Sequence, residues 1–166
     1  MKRVNVPELV KEVYEDSILI DRAHDWRIDT EPDVAATADH DMLKQCARVL
    51  ADNAAKYTPE GGMIRIGAEN AVIGDSAMVP LKKGNYIRIS IADQGQGIPD
   101  DVLPKIFDPY FSTKDTGSGL GLAISYTIVK KHEGLINVAS QRGVGTTFVI
   151  YLPASLRREG ESFGAE

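Results

Sequence analysis

The sequence predicts a single α+β domain. An apolar share of 43% over 166 residues, beside 26% charged, is enough to build one globular core. Several segments carry apolar residues at helical spacing, and several others alternate apolar and polar residues with the period of strands.

In chain order, Pro7 to about Ser17 is predicted helical, with Leu9, Val10, Val13 and Tyr14 on one face. Ile18–Ile28 reads as extended, and Glu31-Pro32-Asp33 as a turn. A long helix is expected from Asp39, whose carboxylate can cap it, to Lys56, before Pro59-Glu60-Gly61-Gly62 stops it. Met63–Ala68 and Tyr86–Asp93 alternate as strands around a hairpin-like excursion marked by Gly74-Asp75-Ser76 and Lys82-Lys83-Gly84-Asn85. Pro99–Ile106 suggests a short helix, since proline suits a first helical position. Another helix is expected from about Gly119 to His132. Two strands follow, Leu135–Ala139 and Thr146–Leu152, joined through Gly143-Val144-Gly145, and a polar, glycine-rich tail ends the chain.

The formal charge of −5, with no basic run, argues against a general nucleic-acid or membrane surface. No apolar stretch approaches the ~20 residues of a transmembrane helix, and no signal-like core follows Met1-Lys2-Arg3. One cysteine, Cys46, excludes an intrachain disulfide, fits a reducing compartment and reads as core. Trp26 reads as a strand residue facing the core or a partner domain. His40 reads as a solvated helix start, and His132 as a cation at a helix end.

Candidate chemistry concentrates at four places. Gly117-Ser118-Gly119-Leu120-Gly121-Leu122 opens an apolar helix, where first-turn N–H groups make a phosphate seat; glycines also turn chains for structural reasons alone. Asp93 is in phase with Ile87, Ile89 and Ile91, so its carboxylate points inward at the end of an apolar face. It either bonds the turn Gln94-Gly95-Gln96-Gly97 or accepts from a ligand's amino group, with Gly95 and Gly97 leaving room for a flat ring and Ile98 giving apolar contact. On the long helix, Asn53 shares a stripe with Met42, Cys46, Val49, Leu50 and Tyr57. It is a satisfied core amide or an oxygen ligand for Mg²⁺, with Lys56 one turn on either solvated or reaching phosphates. Finally, Phe107, Tyr110 and Phe111 anchor a turn-rich stretch, leaving Ser112, Thr113 and Lys114 as a simple loop or a phosphate-facing lid.

The series Asn53-x-x-Lys56-Tyr57, Asp93-x-Gly95-x-Gly97-Ile98, Phe107-Asp108-Pro109-Tyr110-Phe111, Gly117-x-Gly119-Leu120-Gly121 and Gly143-x-Gly145-Thr146-Thr147-Phe148 resembles, in order, the N, G1, F, G2 and G3 boxes of sensor histidine kinases. These define the catalytic, ATP-binding (HATPase_c) domain of the GHKL superfamily. The resemblance spans about Asp39 to Pro153, and its short lid looks most like the nitrogen-regulator and hybrid-kinase branch. Five boxes in sequence are far more specific than any one.

The resemblance implies a Bergerat fold, a two-layer α/β sandwich whose mixed, mostly antiparallel sheet is covered on one face by helices. It implies ATP and Mg²⁺ as ligands. Asp93 would take the adenine amino group, with Thr146 near the same water network, and Tyr57 and Ile98 would flank the base beside Gly95 and Gly97. Asn53 would hold Mg²⁺ and Lys56 would contact phosphate, making these two the catalytic residues of a transfer that depends on alignment and charge neutralisation. Gly117, Ser118, Gly119, Leu120, Gly121 and Leu122 would seat the phosphates, with Thr113 and Lys114 in the lid. Residues 1–20 would be a stub leading out of a dimerisation hairpin, 21–155 the catalytic domain and 156–166 a flexible tail. The expected partners are that dimerisation domain, which carries the phosphoacceptor histidine, and a response regulator downstream. Neither nucleic acid nor direct membrane contact is expected of this domain, which would be monomeric alone and cytoplasmic, whether its parent is membrane-anchored or soluble.

Two departures bear on activity. Where the family usually has a further Asn, four residues before the Mg²⁺-binding one, or a water-activating Glu in gyrase-type ATPases, this chain has Val49. Valine cannot activate water, which disfavours hydrolysis. The phosphoacceptor pattern is also missing: His24-Asp25-Trp26-Arg27 imitates its start, but Asp29 stands where proline belongs. The alternatives are a nucleotide-binding regulatory module without transfer activity, which Val49 would suit, and a serine kinase of the anti-sigma type.

Overall fold

The structure is a computed structural model that describes residues 1–75, 79–109 and 120–155. Two of its helices start by the same device, a short polar side chain that satisfies a first-turn N–H. At α1 (Val6–Ile20) the Asn5 side chain accepts from the Glu8 N–H at 3.2 Å. At α2 (His40–Tyr57) the Asp39 carboxylate accepts from the Met42 N–H at 3.0 Å, the cap expected from the sequence. The third helix, α3 (Gly121–Lys131), carries Lys130 and Lys131 in its last turn, where the helix end is negative.

The strands are β1 (Lys2–Asn5), β2 (Asp25–Thr30), β3 (Ala35–Ala38), β4 (Met63–Ile73), β5 (Gly84–Asp93), β6 (Leu135–Gln141) and β7 (Gly145–Pro153). Five of them form one sheet in the order β2-β4-β5-β7-β6. Only β2 and β4 run parallel; the other pairs are antiparallel. The mixed, mostly antiparallel sheet expected is thus present. Alternation along β4, β5 and β7 puts Ile64, Ile66, Ile87, Ile89, Ile91, Phe148, Ile150 and Leu152 into one buried cluster with Leu9, Val10 and Val13 of α1 and Leu43, Cys46 and Leu50 of α2. Each such large side chain contributes roughly 1.5–3 kcal/mol on leaving water.

Where the structure departs from the sequence reading, the reason is tertiary. Ile18–Ile20 belong to α1 rather than to an extended segment, and Leu19 and Ile20 are exposed, so their β-branched and apolar character gave no sign of helix. The short strands β1 and β3 pair with each other, and β3 also meets the chain beyond β7 through an Ala36–Ala154 bridge, which a pattern of four residues cannot announce. Through this pairing and the buried Val6, Leu9, Val10 and Val13, residues 2–20 are built into the body of the domain. Pro99–Ile106 yields one 3₁₀ turn, Leu103–Lys105, rather than a helix. His132 is not a helix-end cation. Its Nε2 accepts from the Asp39 N–H at 3.0 Å while Nδ1 donates to the Ile128 carbonyl at 2.8 Å, which needs one ring proton. Cys46 and Trp26 are core residues, the Trp26 indole N–H donating to Asp21 Oδ2 at 3.1 Å. His40 is an exposed helix start bonded to Asp41 and Glu12, which together raise its pKa over the cost of burial. No helix among the described residues is long and apolar enough to cross a membrane.

Candidate functional site

The register of the sheet places a polar row at the end of its helix-facing side. Ile64, Asp93, Thr146 and Ser140 are successive cross-strand partners, next to the apolar row Ile66, Ile91, Phe148 and Val138. Asp93 therefore lies where the core ends, as its phase with Ile87, Ile89 and Ile91 predicted. Its Oδ1 accepts from the Gly95 N–H at 2.8 Å and from the Thr146 N–H at 3.2 Å. Among the described residues both its hydrogen bonds end on Oδ1, which leaves Oδ2 as the available acceptor. Burial pushes the pKa of this carboxyl up, and the two backbone N–H groups only partly offset it.

Ser140 joins the site although the sequence reading did not single it out. Its Oγ accepts from the Ile98 N–H at 2.6 Å, lies 2.9 Å from Thr146 Oγ1 and 3.3 Å from the Gly145 carbonyl oxygen. Continuing the alternation of Ile136 and Val138 by one step puts it on their face, and the register with Thr146 brings it to Asp93. The loop after β5 and the β6–β7 turn are thereby interlocked, with the Gly143 N–H donating to the Gln96 carbonyl at 2.8 Å.

The glycines here answer to the protein's own backbone. A Cβ at Gly95 would stand 2.7 Å from the Tyr57 carbonyl oxygen and 2.9 Å from Asp93 Oδ1. Gly97 has φ +79°, and a Cβ there would stand 2.5 Å from the Gln141 carbonyl oxygen. The chain's own backbone thus leaves no space for a side chain at these two positions. Tyr57 at the end of α2 packs directly on the turn that holds Asp93.

Helix α2 brings its own edge to the site. Its fully buried face is Leu43, Cys46, Ala47, Leu50, Ala51 and Ala54. Val49, Asn53 and Tyr57, each four residues apart, are half-buried beside that face, and Met42 is exposed at 39%. The expected stripe is thus wider than the core contact, because a four-residue step drifts around the helix; Asn53 sits on its open margin rather than among core side chains. Lys56 is exposed, its ammonium 5.6 Å from the centre of the Tyr57 ring. Leu120, Gly121 and Leu122 are half-buried at the start of α3, and a methyl group added to Gly121 would stand 3.2 Å from Val49 Cγ1. So the first turn of α3 lies against Val49, one turn before Asn53 on α2.

Phe107 is anchored as expected, 5.6 Å from the Tyr126 ring and 6.3 Å from the Phe148 ring. Tyr110, Phe111, Thr113, Lys114, Gly117, Ser118 and Gly119 lie outside the described residues, as does the tail from 156 to 166. Among the described residues no group of three or more His, Cys, Asp or Glu is placed to hold a metal ion by itself.

Residues 38–156 match the family described as histidine kinase-, DNA gyrase B-, and HSP90-like ATPase. The chain is similar to sensor kinase CckA of Brucella abortus (strain 2308), 43% identical over 121 residues, covering 70% of this chain and 13% of that protein. It is also similar to sensor histidine kinase ZraS of Escherichia coli (strain K12), 40% identical over 131 residues, covering 79% of this chain and 25% of that protein. It therefore spans a quarter or less of the length of these relatives. Among solved structures, the catalytic domain of histidine kinase ThkA superposes with a TM-score of 0.75 at 31% identity, over 92% of this chain and 94% of that one. Full-length ShkA in complex with AMPPNP gives 0.76 at 26% identity, over 93% of this chain and 31% of that one. With the interlocked Asp93 turn and the facing edges of α2 and α3 built on the matching sheet, the chain belongs to the histidine kinase-, DNA gyrase B- and HSP90-like ATPases, as an ATP-binding catalytic domain of the histidine-kinase type.

Proposed function

We propose that this chain binds Mg·ATP between α2, α3 and the Asp93 turn and presents the γ-phosphoryl group to a histidine on a separate dimerisation domain. The observation that carries the reading is Asp93: a carboxylate at the margin of the core, fixed by two backbone N–H groups on one oxygen and, among the described residues, with the other left to accept from an amino group. Tyr57 and Ile98 flank that position, from the end of α2 and from the turn after β5. The adenine-side network extends to Thr146 and Ser140.

The donor set suits Mg²⁺ only in company with a nucleotide. Asn53 offers one neutral oxygen from a half-buried helix edge, and Val49 one turn earlier offers none. Mg²⁺ keeps several waters and takes its remaining oxygens from phosphates, so one protein ligand is enough for a nucleotide-borne ion. When bound, the ion would neutralise charge that develops on the phosphoryl group. The chain's own part is to orient: Asn53 toward the ion, Lys56 and the lid residue Lys114 toward phosphate oxygens, and the N–H groups at Gly119 and Gly121 as the seat. A neutral imidazole on the acceptor is already nucleophilic, so this chain needs no dedicated base, and Val49 cannot direct water in its place. Membership of a larger cytoplasmic kinase with a downstream response regulator completes the proposal.

Transfer is tested by mixing this domain with a histidine-bearing dimerisation domain and γ-labelled ATP. Acid-labile label on the acceptor is expected. Tight nucleotide binding without label, where a Val49→Asn variant does label, would establish the regulatory-module reading instead.

A further inference from the structure

The sequence motif that the nucleotide site leaves unused, His24-Asp25-Trp26-Arg27, sits where α1 hands over to β2. The His24 side chain is only 7% exposed. Its Nδ1 lies 2.5 Å from Asp21 Oδ2 and its Nε2 2.7 Å from the Thr58 carbonyl oxygen. Both partners accept and neither donates, so only the imidazolium, with N–H on both nitrogens, satisfies both. The Asp21 end is fixed further, its Oδ2 accepting from the Trp26 indole at 3.1 Å and its Oδ1 from the Ala23 N–H at 2.9 Å. The Thr58 end is the C-cap of α2. From there contact is continuous into the site: the carbonyl of Tyr57 packs on Gly95, and the Gly95 N–H bonds Asp93.

We propose that His24 is a positioning residue of the nucleotide site, its imidazolium clamping the end of α2 to the α1–β2 junction and so setting where Tyr57 and the Gly95 turn stand when adenine nucleotide binds. This rests on the nucleotide reading of that site. Burial opposes the ring's charge, but the Thr58 carbonyl and the Asp21 carboxylate, with Glu60 across the turn, outweigh it and raise the pKa above 6.5. Those are the charged and polar groups that face the ring from the α1–β2 connection, the α2 cap and the α2–β4 turn; Asp25 beside it is paired with Arg27 at 2.9 Å. Asp21 stays ionised throughout: burial raises its pKa, but the Ala23 N–H, His24 and Trp26 lower it by more. Since the folded pKa of His24 exceeds the unfolded one, the clamp is complete below the ordinary histidine value and is lost as pH rises through the raised value.

The test is ADP binding by calorimetry, without divalent metal, from about pH 6 to about pH 9. His24→Gln keeps one donor and cannot titrate. The ratio of its Kd to that of the wild type, in which the ionisation of ADP itself cancels, is expected to be roughly tenfold at the acid end, the worth of one charge-assisted bond, and to approach unity at the alkaline end. Asp21→Asn removes the anion and is expected to move the midpoint of the wild-type pH dependence to lower pH. A pH-independent ratio, or a midpoint that Asp21→Asn leaves in place, overturns the proposal. Should the Gln variant not fold, the midpoint comparison carries the test alone. Asp93→Asn run in parallel separates the failures: if it binds ADP like the wild type, the nucleotide reading falls and this inference with it. If it loses ADP while the His24 ratio is flat, only this inference falls.

Discussion

Replacing Asp93 with Asn leaves the side-chain volume almost unchanged and inverts one hydrogen-bonding role. The oxygen that receives the Gly95 and Thr146 N–H groups survives as an amide carbonyl, so the turn keeps its form. The outward oxygen becomes an NH₂ group, which meets an adenine amino group donor to donor. A hydrogen bond to a charged acceptor contributes about 1.5–3 kcal/mol, and its loss weakens binding by roughly 10- to 150-fold. The loss is the same for ADP and ATP, because adenine is common to both. Stability should move the other way. Burial raises the folded pKa of Asp93, so the native state holds this proton more tightly than the unfolded chain. The ionised carboxylate thus costs stability at neutral pH, and that cost disappears as pH falls below the unfolded value. The ligand-free Asn variant is expected to melt no lower than the wild type near pH 7, with its advantage shrinking in acid. Calorimetry with both nucleotides and thermal unfolding across pH check this. An Asn variant that binds within twofold of the wild type refutes the adenine assignment, and one that both melts low and binds poorly reduces Asp93 to a structural role.

Asn53→Ala should abolish the increment of ATP affinity that Mg²⁺ adds and leave metal-free binding unchanged, which titrations with and without Mg²⁺ will show. Gly121→Ala brings a methyl group to 3.2 Å from Val49 Cγ1, a contact that the Val49 side chain must relieve by a few tenths of an ångström, and a double-mutant cycle with Val49→Ala, read in melting and in ATP affinity, should show the two positions coupled. The Cys46 thiol, fully buried, is pushed up to about 11, so it should resist alkylation in the native domain and react only as fast as the domain opens, read by mass spectrometry against unfolding.

Asp93 could be placed from sequence because strand alternation is local: three isoleucines at period two fix which side the fourth in-phase residue takes. The Asp39 cap and the stop at Pro59–Gly62 were legible for the same reason, as each is a property of adjacent residues. Val49 stood out by its type alone. Local pattern failed where a residue's environment is supplied by a distant segment. Ile18–Ile20 look like a strand and form helix, since α1 is held by Val6, Leu9, Val10 and Val13 against the core. The placement of Asn53 turned on how much of the α2 stripe the sheet could cover, and the charge state of His132 on a backbone N–H that arrives from Asp39.

The sequence by itself determined the alternation and helical stripes that build one sheet and its helices, and the ordered boxes that mark an ATP-binding domain. Tertiary structure alone decided that Ser140 completes the Asp93 row, that the site's glycines yield to neighbouring backbone, and that His24 bridges two segments 34 residues apart. Those facts depend on strand register and on which segments meet in space, and neither is written in the spacing of residues along one chain.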